Sequence, residues 1–83
     1  LVNYVEEDKV SAIEKAQSLL ATIATKAPLA IGHVIHCANA AYDERVNGYH
    51  EEAKRFGACT ATDDFKEGAS AFLEKRRASF KGQ

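Results

Sequence analysis

The chain has 83 residues, 46% hydrophobic and 28% charged, with a formal net charge of -1; that length allows one domain at most, and the missing basic excess argues against a nucleic-acid binder. A chain this short typically buries only about 60–65% of the surface its unfolded form exposes, so its solitary stability is expected to be marginal. No apolar run approaches the roughly 20 residues of a membrane helix, and Glu6, Glu7 and Asp8 break the basic-then-apolar order of a signal peptide.

Residues 1–5, with Leu1, Val2, Tyr4 and Val5, read as the end of a strand leading elsewhere. A first helix is expected over residues 8–26. Val10, Ile13, Ala16 or Gln17, Leu20 and Ile23 or Ala24 recur at spacings of three and four, and Asp8 stands where an N-cap or N-terminal charge belongs. Pro28, the only proline, suits the first turn of a second helix over residues 28–44, where its missing N–H leaves no bond unmade. Leu29, Ile31, Val34, Ile35, Ala38 and Ala41 make that helix apolar on most of its circumference. Such a helix is expected to be buried or sandwiched. A third helix over residues 46–59 carries Tyr49, Ala53 and Phe56 as its stripe. Gly48 and Gly57 each weaken it by roughly 1 kcal/mol against alanine. Thr62 or Asp63 can cap a fourth helix over residues 63–77, which holds Phe65, Ala69, Phe72 and Leu73 and places Lys75, Arg76 and Arg77 at the negative end of its dipole. The fold class is all-α, about four helices.

The last helix and its lead-in carry more than periodicity. Ala61-Thr62-Asp63-Asp64-Phe65-Lys66-Glu67-Gly68, then Ala71-Phe72-Leu73-Glu74-Lys75-Arg76, then Phe80-Lys81-Gly82 resembles the C-terminal signature of the enoyl-CoA hydratase/isomerase (crotonase) family. Leu1-Val2-Asn3-x-Val5, the Ala21–Ala30 stretch and Asn39-Ala40-Ala41-Tyr42-Asp43 extend the resemblance over essentially the whole chain. Members are usually about three times as long, most of that length being a β/α spiral core with the oxyanion-hole amides and catalytic carboxylates. The resemblance therefore implies a single C-terminal helical region, residues 1–83, that packs on the core and builds a trimer interface. The absence of any methionine, with a start at Leu1-Val2-Asn3-Tyr4, fits a piece cut or processed from something longer.

Hydration of a 2-enoyl thioester needs backbone donors for the enolate oxygen and glutamates to activate water and deliver a proton. The family supplies both from its core. Here Glu6/Glu7 and Glu51/Glu52 are adjacent pairs that do not converge, while Glu67 and Glu74 read as solvated surface. No catalytic residue is expected in this chain, and no cofactor. The resemblance does imply coenzyme A contact in the complete protein. An aromatic on the penultimate helix, with the Phe and Lys of the Ala-Phe-x-Glu-Lys-Arg run, lines the CoA and acyl end. These correspond to Phe56, Phe72 and Lys75. Without the resemblance Phe56 and Phe72 read more readily as core, meeting across the third and fourth helices. Many family members carry a lysine within the second helix. Here no lysine lies between Lys26 and Lys54, and Gly32, His33 and His36 stand in its place. A histidine supplies that charge only when protonated.

His33 and Cys37 share a helix face, with His36 beside them. A metal site there would need His50 or Cys59 from another helix, and half-buried histidines in a packed pair are the commoner arrangement. Two scattered cysteines fit a reducing compartment, cytoplasmic or the mitochondrial matrix, with a single Cys37–Cys59 bridge as the other option. The expected partners are an acyl-CoA thioester in the full-length context, the protein's own catalytic core and neighbouring subunits in a homo-oligomer. The competing reading is an independent helical binding or self-association module with no enzyme context. Either way, self-association through the second helix and the Phe56/Phe72 face is expected, because large apolar patches are rarely left open.

Overall fold

The computed structural model describes residues 2–83. Asp8 opens α1 (Lys9–Ile23). Its carboxylate accepts from the Ser11 backbone N–H and hydroxyl, both at 2.8 Å, which satisfies a donor the helix itself leaves unpaired. The helix stops three residues short of the expected 26. Thr25 and Lys26 donate to the carbonyls of Thr22 and Ile23, tightening the last turn. Ala27 then goes extended, as Pro28 requires of the residue before it. Residues 2–5 pair with no strand of this chain, the strand end expected over 1–5 being one that leads elsewhere, and Leu1 lies outside the described residues. A strand needs a neighbour to take its hydrogen bonds, and this segment turns toward α1 instead, with the Lys15 ammonium 4.1 Å from the centre of the Tyr4 ring.

Pro28 begins α2 (Pro28–Ala40). It ends four residues before the expected 44, where Tyr42 and Asp43 bond back to Asn39 and Ala40. The Asp43 carboxylate then accepts from the Arg45 backbone N–H at 3.1 Å and from its guanidinium at 2.9 and 3.0 Å, closing the turn locally. Asn47 caps α3 (Gly48–Thr60) by accepting from the His50 N–H at 3.1 Å, which sets the start two residues after the expected 46. The Thr62 hydroxyl donates to the Cys59 carbonyl at 2.7 Å and accepts from the Phe65 N–H at 3.1 Å, joining the end of α3 to the start of α4 (Asp63–Leu73).

The fourth helix also ends early, at Leu73 rather than 77. Arg76 N–H donates to the Ala71 carbonyl at 3.0 Å and Lys75 N–H to that of Phe72 at 3.3 Å. This is a Schellman turn, with Lys75 at the left-handed position, φ 54. Lys75, Arg76 and Arg77 therefore follow the helix instead of forming its last turn.

The four helices, with no strand among the described residues, do not close into a bundle. α2 runs antiparallel against α3, with the Ala41 backbone beside Gly48 and His36 beside Glu51. α3 meets α4 lightly, and α1 leaves α2 at 116° without packing closely on another helix. The radius of gyration is 16.0 Å, against about 12 Å for a compact chain of this length. The molecule measures 43 × 41 × 18 Å. Its surface of 7136 Å² exceeds the about 4,900 Å² of a compact 9.0 kDa protein by nearly half. Among the described residues only Ala40, Asp64 and Ala71 are buried. Of the two expectations for α2, burial or a sandwiched place, burial is not met within this chain: Val34 and Ile35 are more than half exposed, because α3 packs along one side of α2 and the tail and α4 reach only its first turn. No single helix is long and apolar enough to cross a membrane.

Candidate functional site

The most buried part of the chain is one face of α4, and what covers it is the chain's own tail. Asp64 is 3% exposed and Ala71 2% exposed, seven residues apart on that face, with Gly68 between them. The Asp64 carboxylate accepts from the backbone N–H groups of Lys81 at 2.7 Å and Gly82 at 2.8 Å. Its own N–H, an unpaired donor of the helix's first turn, reaches the Gln83 carbonyl at 2.9 Å. Gly82 has φ 75, a conformation in which a side chain would be strained. It also abuts Pro28 at the start of α2. Phe80 fills the space over Gly68 and helps line a 280 Å³ cavity whose other walls come from Leu29 and Ala30 of α2, Cys59 of α3 and Phe65 of α4.

A second anchor lies one turn along. The Arg76 guanidinium donates twice to the Glu67 carboxylate, at 2.6 and 2.9 Å, and also pairs with Glu74. The Ser79 N–H adds a third donor to Glu67 at 2.8 Å. Bidentate, charge-assisted bonding of this kind is the strong form of an ion pair. The Arg76 guanidinium, followed by the Ser79 N–H, holds the Glu67 carboxyl down at about 2, and Glu67 in turn raises Arg76. Reading Glu67 as solvated surface is thus corrected, whereas Glu74 is exposed as expected and pairs with the same arginine at the surface. Thr62, Asp64, Glu67, Gly68, Arg76, Phe80 and Gly82, the residues that carry the family resemblance, are for the most part the fastening of the tail onto α4. Sequence reasoning missed this, although a Glu-Gly pair on the helix followed by a later Phe-Lys-Gly was a visible signal.

Against that fixed frame, the three residues expected at the CoA and acyl end are open. Phe72 is 83% exposed and Phe56 67% exposed, so neither is core of this chain. Phe72 and Lys75 stand at the open end of α4, with Lys75 exposed on its left-handed turn. Phe56 instead lines a 560 Å³ groove between α2 and α3, together with Val34, Cys37 and Cys59; Phe72 and Lys75 are not on its wall.

His36 is committed to α3. His36 Nε2 lies 3.1 Å from Glu51 and 3.2 Å from Arg55 Nη2. It donates to Glu51 in the Nε2–H tautomer and accepts from Arg55 in the other. The His36 contact, then the cations of Lys54 and Arg55, lowers the Glu51 pKa. Among the described residues no three His, Cys, Asp or Glu side chains converge to hold a metal ion. Cys37 and Cys59 are both free. Both line the groove between α2 and α3 without a bond to each other, so the Cys37–Cys59 bridge is not formed.

Comparisons with known proteins agree with this geometry. A family model described as enoyl-CoA hydratase/isomerase matches residues 1–83. A probable enoyl-CoA hydratase of Bacillus subtilis is 39% identical over 100% of this chain and 33% of its own length. A mitochondrial enoyl-CoA hydratase of Pongo abelii is 36% identical over 86% of the chain and 25% of its own. Among solved structures, an enoyl-CoA hydratase from Mycobacterium tuberculosis superposes with a TM-score of 0.82 at 27% identity, over 99% of this chain and 32% of that one. A probable enoyl-CoA hydratase/isomerase from Mycobacterium abscessus gives 0.79 at 26% over the same share of each. The chain spans about a third of the length of its curated relatives or less. Four helices, an α4 fastened by its own tail, and a match running from the first residue to the last place the chain in the enoyl-CoA hydratase/isomerase family, of whose fold it is a helical region.

Proposed function

We propose that this chain is the C-terminal oligomerisation and CoA-contacting region of an enoyl-CoA hydratase-like lyase of fatty-acyl-CoA metabolism. In the complete protein Phe56 and Phe72 cover the adenine or acyl end with their faces, and the Lys75 ammonium meets a phosphate. The observation that supports this best is the exposure of all three on a chain whose other signature residues for the most part fasten the tail onto α4. Surface in excess of a compact monomer's by about 2,300 Å² supports assembly with a core and with neighbouring subunits, since stable interfaces bury areas of that order. The free thiols suit a cytoplasmic or matrix setting.

The region is not catalytic alone. Addition of water to C3 of an enoyl thioester with protonation at C2 needs a carboxyl able to exchange its proton near neutral pH. Every shifted carboxyl here is shifted downward: Glu67 by Arg76, Glu51 by His36, Asp43 by Arg45, Asp63 by Lys66 and Asp8 by Ser11. Crotonyl-CoA offered to the isolated chain is expected to remain unhydrated. In the complete protein Lys75→Ala is expected to raise KM for a CoA thioester while leaving kcat nearly unchanged. Turnover by the isolated chain, or a Lys75→Ala variant with unaltered KM, would overturn the corresponding part.

A further inference from the structure

Lys75 is the one non-glycine residue with positive φ among the described residues. A side chain in that region crowds its own backbone, and glycine is the usual occupant of this place in a Schellman turn. Strain of this sort persists where the surroundings over-determine it and the side chain is needed there. The surroundings are residues that follow Lys75 in the chain. Arg76, the next residue, is tied by both guanidinium arms to Glu67, two turns back on α4, at 2.6 and 2.9 Å, and also to Glu74 just before the turn. Ser79 is tied to the same Glu67 oxygen at 2.8 Å. The chain leaving Lys75 is therefore anchored to the helix body, directly after the end of the helix itself, while the lysine is left exposed.

We propose that the Glu67–Arg76 pair is a positioning device for Lys75: it holds the turn in which the ammonium is presented to a phosphate of the CoA thioester, without either residue touching the ligand. This rests on the reading of Lys75 as a CoA contact given above. A planar, two-armed guanidinium fixes direction as well as distance, which a single ammonium at position 76 does not.

A double-mutant cycle in the complete enzyme tests it, with KM and kcat read for a CoA thioester. Lys75→Ala is expected to raise KM about tenfold, the loss of one charge-assisted contact, with kcat within about twofold. Arg76→Ala is expected to raise KM by about threefold or more in the parent and to add nothing in the Lys75→Ala background, because it acts through that lysine. Glu67→Gln, which breaks the pair from the other side with less disturbance of shape, should reproduce the Arg76→Ala result, and Arg76→Lys should fall between. An Arg76→Ala or Glu67→Gln penalty of equal size in both backgrounds, or no penalty beside a sensitive Lys75, overturns the positioning role alone. An insensitive Lys75→Ala overturns the contact reading and this inference together.

Discussion

Phe80 stands so close over Gly68 that a Cβ on the glycine would meet its Cε1 at 3.4 Å. The contact brings residues twelve apart in sequence into van der Waals contact in the middle of α4. A methyl group just fits, and alanine is favoured over glycine inside a helix by up to about 1 kcal/mol. Gly68→Ala is therefore expected to leave stability within about 1 kcal/mol of the parent, whereas Gly68→Leu must expel the ring, at about 1–3 kcal/mol. Urea midpoints, with amide exchange at Gly82 as the local reporter, distinguish the two.

Asp64 carries the deepest polar contact. Replacing it by asparagine keeps the shape but turns one acceptor oxygen into an NH2 group facing a backbone N–H. One donor of the Lys81–Gly82 pair is then unsatisfied in a site 3% exposed. The expected cost is about 1–3 kcal/mol. It should appear as faster amide exchange at Lys81 and Gly82, with α2 and α3 little affected.

Acid should release the second anchor in a defined window. The Glu67 carboxyl is depressed from 4.5 to about 2 by Arg76 and the Ser79 N–H. A group whose folded pKa lies below its unfolded value stabilises the folded state above the unfolded value, and that contribution fades as pH falls toward the folded one. Docking of residues 76–79 is thus expected to be constant above about pH 5 and to weaken from about pH 4.5 toward 2. Following the Ser79 amide by NMR through that range checks it, and Glu67→Gln should flatten the profile.

Lys75→Gly should separate stability from ligand contact. Removing the side chain at φ 54 relieves backbone crowding, so the variant is expected to be about 1 kcal/mol more stable than Lys75→Ala. Both should lose the proposed phosphate contact equally. Paired thermal melts and thioester KM values on the complete protein read the two effects independently.

How far the sequence reveals these features depends on the range of the interaction. Asp8, Asn47 and Thr62 act on N–H groups three residues away, and the helices they open are visible as periodicity. Glu67 meets Arg76 nine residues on, outside the three-or-four spacing by which a helical pair is recognised, so it reads as solvated. Asp64 meets Gly82 across eighteen, with no periodic trace. The end of α4 is hidden for another reason: a glycine at position 75 would have marked the stop, and a lysine followed by two arginines imitates a helix's last turn. The apolar circumference of α2 is plain in the sequence, but Val34 and Ile35 describe surfaces that this chain does not itself supply.

The 18 Å thickness of the molecule is less than two helix diameters of 10–12 Å, so for most of its extent the chain is a wall one helix deep. A wall has two sides, and packing density inside it cannot rise however its side chains are chosen. Larger apolar residues on α1 or α2 would thicken the contact with whatever stands on either side instead of filling a core. The melting behaviour of these helices is then expected to respond more to anything packed against either side than to side chains exchanged within the wall.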